Sequence, residues 1–265
     1  MIYEMVYLSN ELDLLDLRLH ELNDIVDKII IVEYPFDYGR RPAIMHYNEN
    51  KERFKEFEHK IIHVIDDNDY QHSTGITLMW QRKNSPVLMQ AVSGCKDEDY
   101  IFACDGDAVV RREAFQRIDL SKQSILRLRW CIYWMNLYCP HVGFDWVTAA
   151  PYKIYKERGS FAGMSLIPNP DIQLVDNAGW HFSKLGGVDK VIANIMGYPH
   201  QEYRQNLLLI DPVLVQERID NAWGWDDITK GKGEKVWHWE YTTGADLPPY
   251  VQAHPEIFKQ YIKEI

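Results

Sequence analysis

YIFACDGDAVV, Tyr100 to Val110, decides how this chain is read. Tyr100, Ile101, Phe102 and Ala103 are a mostly apolar run, which predicts a buried strand. The run ends in Asp105 and Asp107 with only Gly106 between them. Carboxylates at a strand end suit a hard divalent cation such as Mn2+ or Mg2+, which keeps positions open for phosphate oxygens. A glycine between them lets the backbone approach a ligand closely. Asp-x-Asp occurs in many loops, so its weight comes from its place after an apolar strand.

Outward from this stretch the first half alternates helix and strand. Leu12, Leu15, Leu19, Leu22 and Val26 recur at helical spacing, with Asn10 as the expected N-cap. Lys28–Glu33 and Lys60–Asp66 read as buried strands, and Asn50–His59 as a helix with Phe54 and Phe57 inward. Pro86 opens a further helix that Gly94 closes. Continuous apolar strands alternating with helices predict a parallel sheet covered on both faces, whose ligands sit beyond the carboxyl ends of the strands. Glu33, Asp66 and the Asp105–Asp107 pair all fall there.

The second half is less regular. Ile125–Trp130 and Ile172–Val175 read as strands. Gly187–Tyr198 and Asp211–Trp223 read as helices, the latter with Leu214, Ile219 and Trp223 inward. The aromatic-rich stretch Trp130–Tyr155 fits no single pattern. With no repeat or linker, the expectation is one α/β domain over 1–265, with a nucleotide-binding half (1–120) and an acceptor half (121–265).

Composition bounds the partners. A net charge of −10 argues against non-specific nucleic-acid binding, because that affinity comes from neutralised phosphates. Cys95, Cys104, Cys131 and Cys139 form no CxxC pair and read as reduced thiols. The longest aliphatic run, Ile29–Val32, is too short to span a bilayer, and the first residues do not resemble a signal peptide. A cytoplasmic protein is therefore expected. The nine tryptophans and sixteen tyrosines offer flat faces for sugars or bases, although core packing is the usual use of such residues.

NAGWHFSKLGGVDKV, Asn177 to Val191, adds chemistry to the acidic pair. His181 is a candidate ligand for the same cation. Lys184 is placed to meet a phosphate as a point charge, and Gly186–Gly187 open a helix whose N-terminus favours an anion.

Several segments in order carry a resemblance: NELDLLDLRLHELNDIVDKIIIVE (Asn10–Glu33), KERFKEFEHKII (Lys51–Ile62), the strand ending in Asp105–Asp107, AGWHFSKLGG (Ala178–Gly187) and HQEYRQN (His200–Asn206). Over about residues 6–235 the chain resembles glycosyltransferase family 17, whose animal members are the bisecting N-acetylglucosaminyltransferases. The resemblance implies a GT-A-like fold with a Rossmann-type, mostly parallel central sheet. It implies a nucleotide-sugar donor (a UDP-sugar, with N-acetylglucosamine as precedent), a glycan acceptor and inversion at the anomeric carbon. Asp105, Asp107 and His181 then match the metal site, Glu33 the acid that meets the donor's base or ribose, and Arg18 a fixed feature of the opening segment that contacts the donor. Family members commonly continue the second aspartate with Glu-Ile-Pro, where this chain has Ala108, Val109 and Val110. Without the membrane anchor of Golgi members, a microbial or viral source is expected.

Inverting transfer needs a base for the acceptor hydroxyl and a stabiliser for the departing diphosphate. Asp105, Asp107 and Lys184 supply the second. Asp176, Glu202 and Asp145 are the candidates for the first. A non-catalytic nucleotide-sugar or glycan binder derived from a transferase is the competing reading. A metal-dependent phosphohydrolase is a weaker one, because no HD pair or His-x-His array accompanies the aspartates.

Overall fold

Along Lys28–Glu33, successive side chains enter different cores: Ile29 and Ile31 join Phe54, Phe57, Leu15 and Leu19, while Ile30 and Val32 join Met5, Leu88 and Ile101. Tyr100, Phe102 and Cys104 divide from Ile101 and Ala103 in the same way. Burial on both faces is why these strands read as continuous apolar runs. In the computed structural model, which describes residues 1–70, 73–161, 171–225 and 237–265, they are the centre of a curled sheet.

The strands among the described residues are β1 (Ile2–Tyr7), β2 (Lys28–Glu33), β3 (Ile61–Ile65), β4 (Tyr100–Asp105), β5 (Ala108–Val110), β6 (Ser124–Ile132), β7 (Leu137–Pro151), β8 (Gln173–Val175), β9 (Gly179–Ser183) and β10 (Glu240–Tyr241). Their order is β3-β2-β1-β4-β7-β6-β9-β5, with β10 on β7 and β8 on β6. The block β3-β2-β1-β4 is wholly parallel. The strand MIYEMVY that anchors it was not singled out by pattern.

The expected mostly parallel sheet is corrected here to a mixed one. β7 runs antiparallel to β4, β6 and β10, and β5 runs antiparallel to β9. The cause is local: four residues join β6 to β7, enough for a hairpin and too few for a parallel crossover. The aromatic stretch that fitted no pattern is largely β7, a 15-residue strand.

Helices cover the sheet: α1 (Leu12–Glu21), α2 (His46–Glu49), α3 (Gly75–Lys83), α4 (Pro86–Ala91), α5 (Tyr152–Arg158) and α6 (Val188–Gly197). The predicted Asn50–His59 helix is a 3-10 helix, Lys51–Lys60, with Phe54 and Phe57 buried as expected. In the later helix Pro212–Asp220 the buried residues are Val215, Arg218 and Ile219 rather than Leu214 and Trp223. Trp225 and Trp239 are buried in an aromatic core with Ile132, Leu137 and Val191.

One consequence positions the site. β5 follows β4 after two residues, yet β5 pairs with β9 at the far end of the path β4-β7-β6-β9. The sheet therefore curls until its end meets its middle, and Gly106–Asp107 is the covalent seam.

Candidate active site

Ala108, Val109 and Val110 are fully buried and pair with His181, Trp180 and Gly179. The apolar triplet that departs from Glu-Ile-Pro is thus the strand that carries β9 onto the acidic turn. The approach is tight: Gly179 has φ +151°, and a Cβ there would lie 2.1 Å from the Val109 carbonyl oxygen. Phe182 N–H donates to the Asp107 carbonyl at 2.7 Å.

This register places His181 Nε2 3.3 Å from Asp107 Oδ2. The imidazole is only 7% exposed and lies parallel to the Phe144 ring, with centroids 3.5 Å apart. Its Nδ1 is buried without a hydrogen-bond partner among the described residues. Burial works to raise the Asp107 carboxyl, but His181 and Lys184 outweigh it and hold the group below the usual carboxylate range.

Lys184 follows β9 in a left-handed conformation (φ 57°). Its ammonium is buried over the rings of Trp225 (4.3 Å) and Tyr198 (5.1 Å). Burial, followed by the charges of Asp107 and Asp105, raises the Tyr198 phenol, which puts this aromatic wall beside both acids. Asp105 is half-exposed and faces Lys83 Nζ at 3.3 Å. Burial opposes the charge on Lys83, and Asp105 more than restores it.

A cavity of about 260 Å³ opens beside Asp107, lined among others by Glu11, Asp13, His46, Arg53, Lys184 and Lys190. From the sequence Glu11 reads only as an acid placed for the helix dipole. The helix cap falls on it rather than on Asn10, and its carboxylate turns back to accept from Ser9 N–H at 2.9 Å. A Cβ on residue 106 would lie 2.5 Å from Glu11 Oε2, so Gly106 is what lets this third acid approach. Burial, then the charge of Asp107, pushes the Glu11 carboxyl up to about 7.

The remaining expected site residues lie elsewhere. Glu33 is buried under α2, accepting from Tyr47 N–H (2.7 Å) and Asn48 N–H (3.0 Å), with His63 Nε2 at 2.9 Å. Its carboxylate is a helix cap. Arg18 has no exposed surface and binds the carbonyls of the acidic turn from beneath. Neither side chain faces the cavity as a donor contact would.

Asp176 and Asp145 share Arg127, at 3.1 and 2.7 Å, in an exposed cluster. The β5–β9 register explains the distance of Asp176 from Asp107. His181 pairs with Ala108 and Gly179 with Val110, so the chain before Gly179 lies at the opposite end of β9 from Asp107. Glu202 is exposed and accepts from His200 Nδ1 at 2.8 Å. The His200 ring stacks on Tyr198 at 5.4 Å, so a chain of contacts joins Glu202 to Lys184.

The sequence model of glycosyltransferase family 17 matches residues 1–229, a span that holds all of these residues. The chain belongs to glycosyltransferase family 17. No curated protein matches it. This family 17 glycosyltransferase has no helix, among the described residues, long and apolar enough to cross a membrane. A cluster of three or more His, Cys, Asp or Glu placed to hold a metal is likewise absent among those residues. Asp107 has His181 beside it while Asp105 is paired with Lys83, so the acidic turn offers a cation one carboxylate with a neighbouring imidazole and a second carboxylate already held by an ammonium. That donor set fits a magnesium-type ion, which typically takes one or two carboxylates and completes its shell with water and substrate phosphates.

Proposed function

We propose that this glycosyltransferase moves a sugar from a nucleotide-diphosphate donor, a UDP-sugar with N-acetylglucosamine as the first candidate, to a glycan hydroxyl with inversion, using Mn2+ or Mg2+. The convergence of Asp107, His181 and Lys184 at the seam of a GT-A-like sheet carries this reading. Asp105 and Asp107, with His181 beside them, would hold the cation, which would supply Lewis-acid stabilisation of the diphosphate. Lys184 adds a buried positive charge held over the Trp225 ring, and a charge fixed in advance needs no reorganisation as the leaving group forms.

The acceptor oxygen bonds to the anomeric carbon as the bond to the diphosphate breaks, and that electron pair leaves on the diphosphate. The hydroxyl proton passes to a carboxylate on the other face of the sugar. Glu202 is the candidate for this role. Its own backbone N–H and then His200 hold its carboxyl below the usual range, so it is ionised and able to accept. The half 1–120 then serves the nucleotide, with His181 and Lys184 reaching its diphosphate from the half 121–265, which otherwise serves the acceptor.

A thermal-shift panel of nucleotide diphosphates, with and without Mn2+, tests the reading. A stabilisation by UDP that requires Mn2+ and disappears in Asp107→Ala supports it. The absence of a shift with every nucleotide overturns it.

A further inference from the structure

Arg18 binds the acidic turn more extensively than any other side chain described above. Its Nη2 donates to the carbonyls of Ala108 (2.5 Å), Gly106 (2.9 Å) and Asp105 (3.3 Å). Its Nη1 is held by Glu4 Oε1 at 2.5 Å and touches Cys104 Sγ at 3.2 Å. Arg18 and Glu4 are 0% and 1% exposed. Burial works to lower the guanidinium, and the facing Glu4 more than compensates, so the arginine stays charged.

A buried ion pair of this kind is a poor way to gain stability. Its desolvation penalty often cancels the attraction, and a well-packed apolar pair of similar volume serves as well. An apolar pair could not collect three carbonyls at the one place where the curled sheet closes on itself. Lysine, with three donors on a single nitrogen, could not collect them and hold Glu4 as well. Glu4 stands opposite Phe102 in the β1–β4 register, so the clamp is referenced to the central strand. Gly106 N–H, donating to the Tyr7 carbonyl at 3.0 Å, ties the turn to that strand a second time.

We propose that Arg18, oriented by Glu4, is a positioning residue that fixes the spacing and direction of Asp105 and Asp107 through the carbonyls of Asp105, Gly106 and Ala108. The functional consequence rests on the reading of those acids as the diphosphate–cation site; the clamp itself does not.

Two measurements on the full chain separate these parts. The first is hydrogen exchange of the peptide covering residues 104–110, without metal, in wild type, Arg18→Lys and the double variant Glu4→Gln/Arg18→Met. The double variant leaves no buried charge unpaired, so it retains the fold, and the lysine variant keeps a cation opposite Glu4. Arg218→Met is the control. Arg218 is equally buried and donates to the Leu208 and Leu209 carbonyls, outside the turn. The expected result is at least about tenfold faster exchange of the turn in both Arg18 variants and unchanged exchange there in the control. Unchanged turn exchange in a cooperatively melting Arg18 variant overturns the clamp.

The second is Mn2+-dependent UDP affinity. A loss of tenfold or more in the Arg18 variants, with the control within twofold, supports the positioning role. A loosened turn with wild-type affinity overturns it. Failure of the wild type to bind UDP with Mn2+ overturns the proposed function, and the exchange experiment still decides the clamp.

Discussion

Asp107 and Asp145 stand on one curled sheet, each beside a basic side chain, and their surroundings have opposite consequences. Asp145 and Asp176 flank Arg127 in a cluster whose side chains are 42%, 67% and 38% exposed. The two carboxylates share one guanidinium and all three groups are open to solvent, and such a group contributes about 0–1 kcal/mol per pair. Around Asp107, Glu11 is held near its protonation midpoint at neutral pH, Lys184 is buried and His181 has an unpartnered Nδ1. Unmet electrostatic demand around a cavity, more than the presence of acids, separates a candidate site from a surface ion pair.

The sharpest way to break that comparison is to neutralise one acid from each cluster. Asp107→Asn is expected to lower UDP release from UDP-N-acetylglucosamine about 10³-fold, the scale of removing a main stabiliser of the leaving group. Asp176→Asn is expected to stay within about twofold, because it changes only a solvated pair. Equal losses would erase the distinction.

Glu202 belongs to neither cluster and tests how far the site extends. Glu202→Gln is expected to lower kcat by about 10²-fold while donor affinity, read by calorimetry, is unchanged. A change in donor affinity with kcat intact would move Glu202 to the binding machinery. Lys184→Met comes next, with about a tenfold weaker donor affinity, as for the loss of one charge-assisted contact. An unchanged affinity would mean that the ammonium serves only the Trp225 and Tyr198 faces.

The parallel block was legible because each of its strands is buried on both sides, as Ile29–Val32 illustrates. The Asp105–Asp107 turn was legible as a motif because it ends a short extended run, and His181 because it lies within one, in the middle of β9. Their meeting was not, because it depends on the path β4-β7-β6-β9-β5, and β7 hides its period behind bulges and aromatic residues. Arg18 has the polar-face spacing of a surface residue, yet it points into the protein because the turn's carbonyls need a donor there. Glu33 stands at the expected strand end but is taken by the amides of α2. Glu11 reads as a first-turn acid favoured by the helix dipole; its place beside the acidic turn is not legible, because Gly106, distant in sequence, leaves room for it.

Glu11 also gives the smallest and most specific prediction. Its carboxyl, raised from the ordinary 4.5 to about 7 by burial and by Asp107, binds a proton more tightly in the folded chain than in the unfolded one. The stability it contributes is complete below about pH 4.5 and is lost as pH rises through 7, a change on the order of 1–3 kcal/mol. Glu11→Gln cannot ionise, so it escapes that loss. In EDTA the variant's Tm should exceed that of wild type by about 2–8 °C more at pH 8 than at pH 5. The same substitution at Glu202, which is exposed and has a lowered pKa, should give no gain at pH 8. A pH-independent difference for Glu11→Gln would mean that the carboxylate is satisfied by the Ser9 amide alone. The cavity beside Asp107 would then be as electrostatically quiet as the Arg127 cluster.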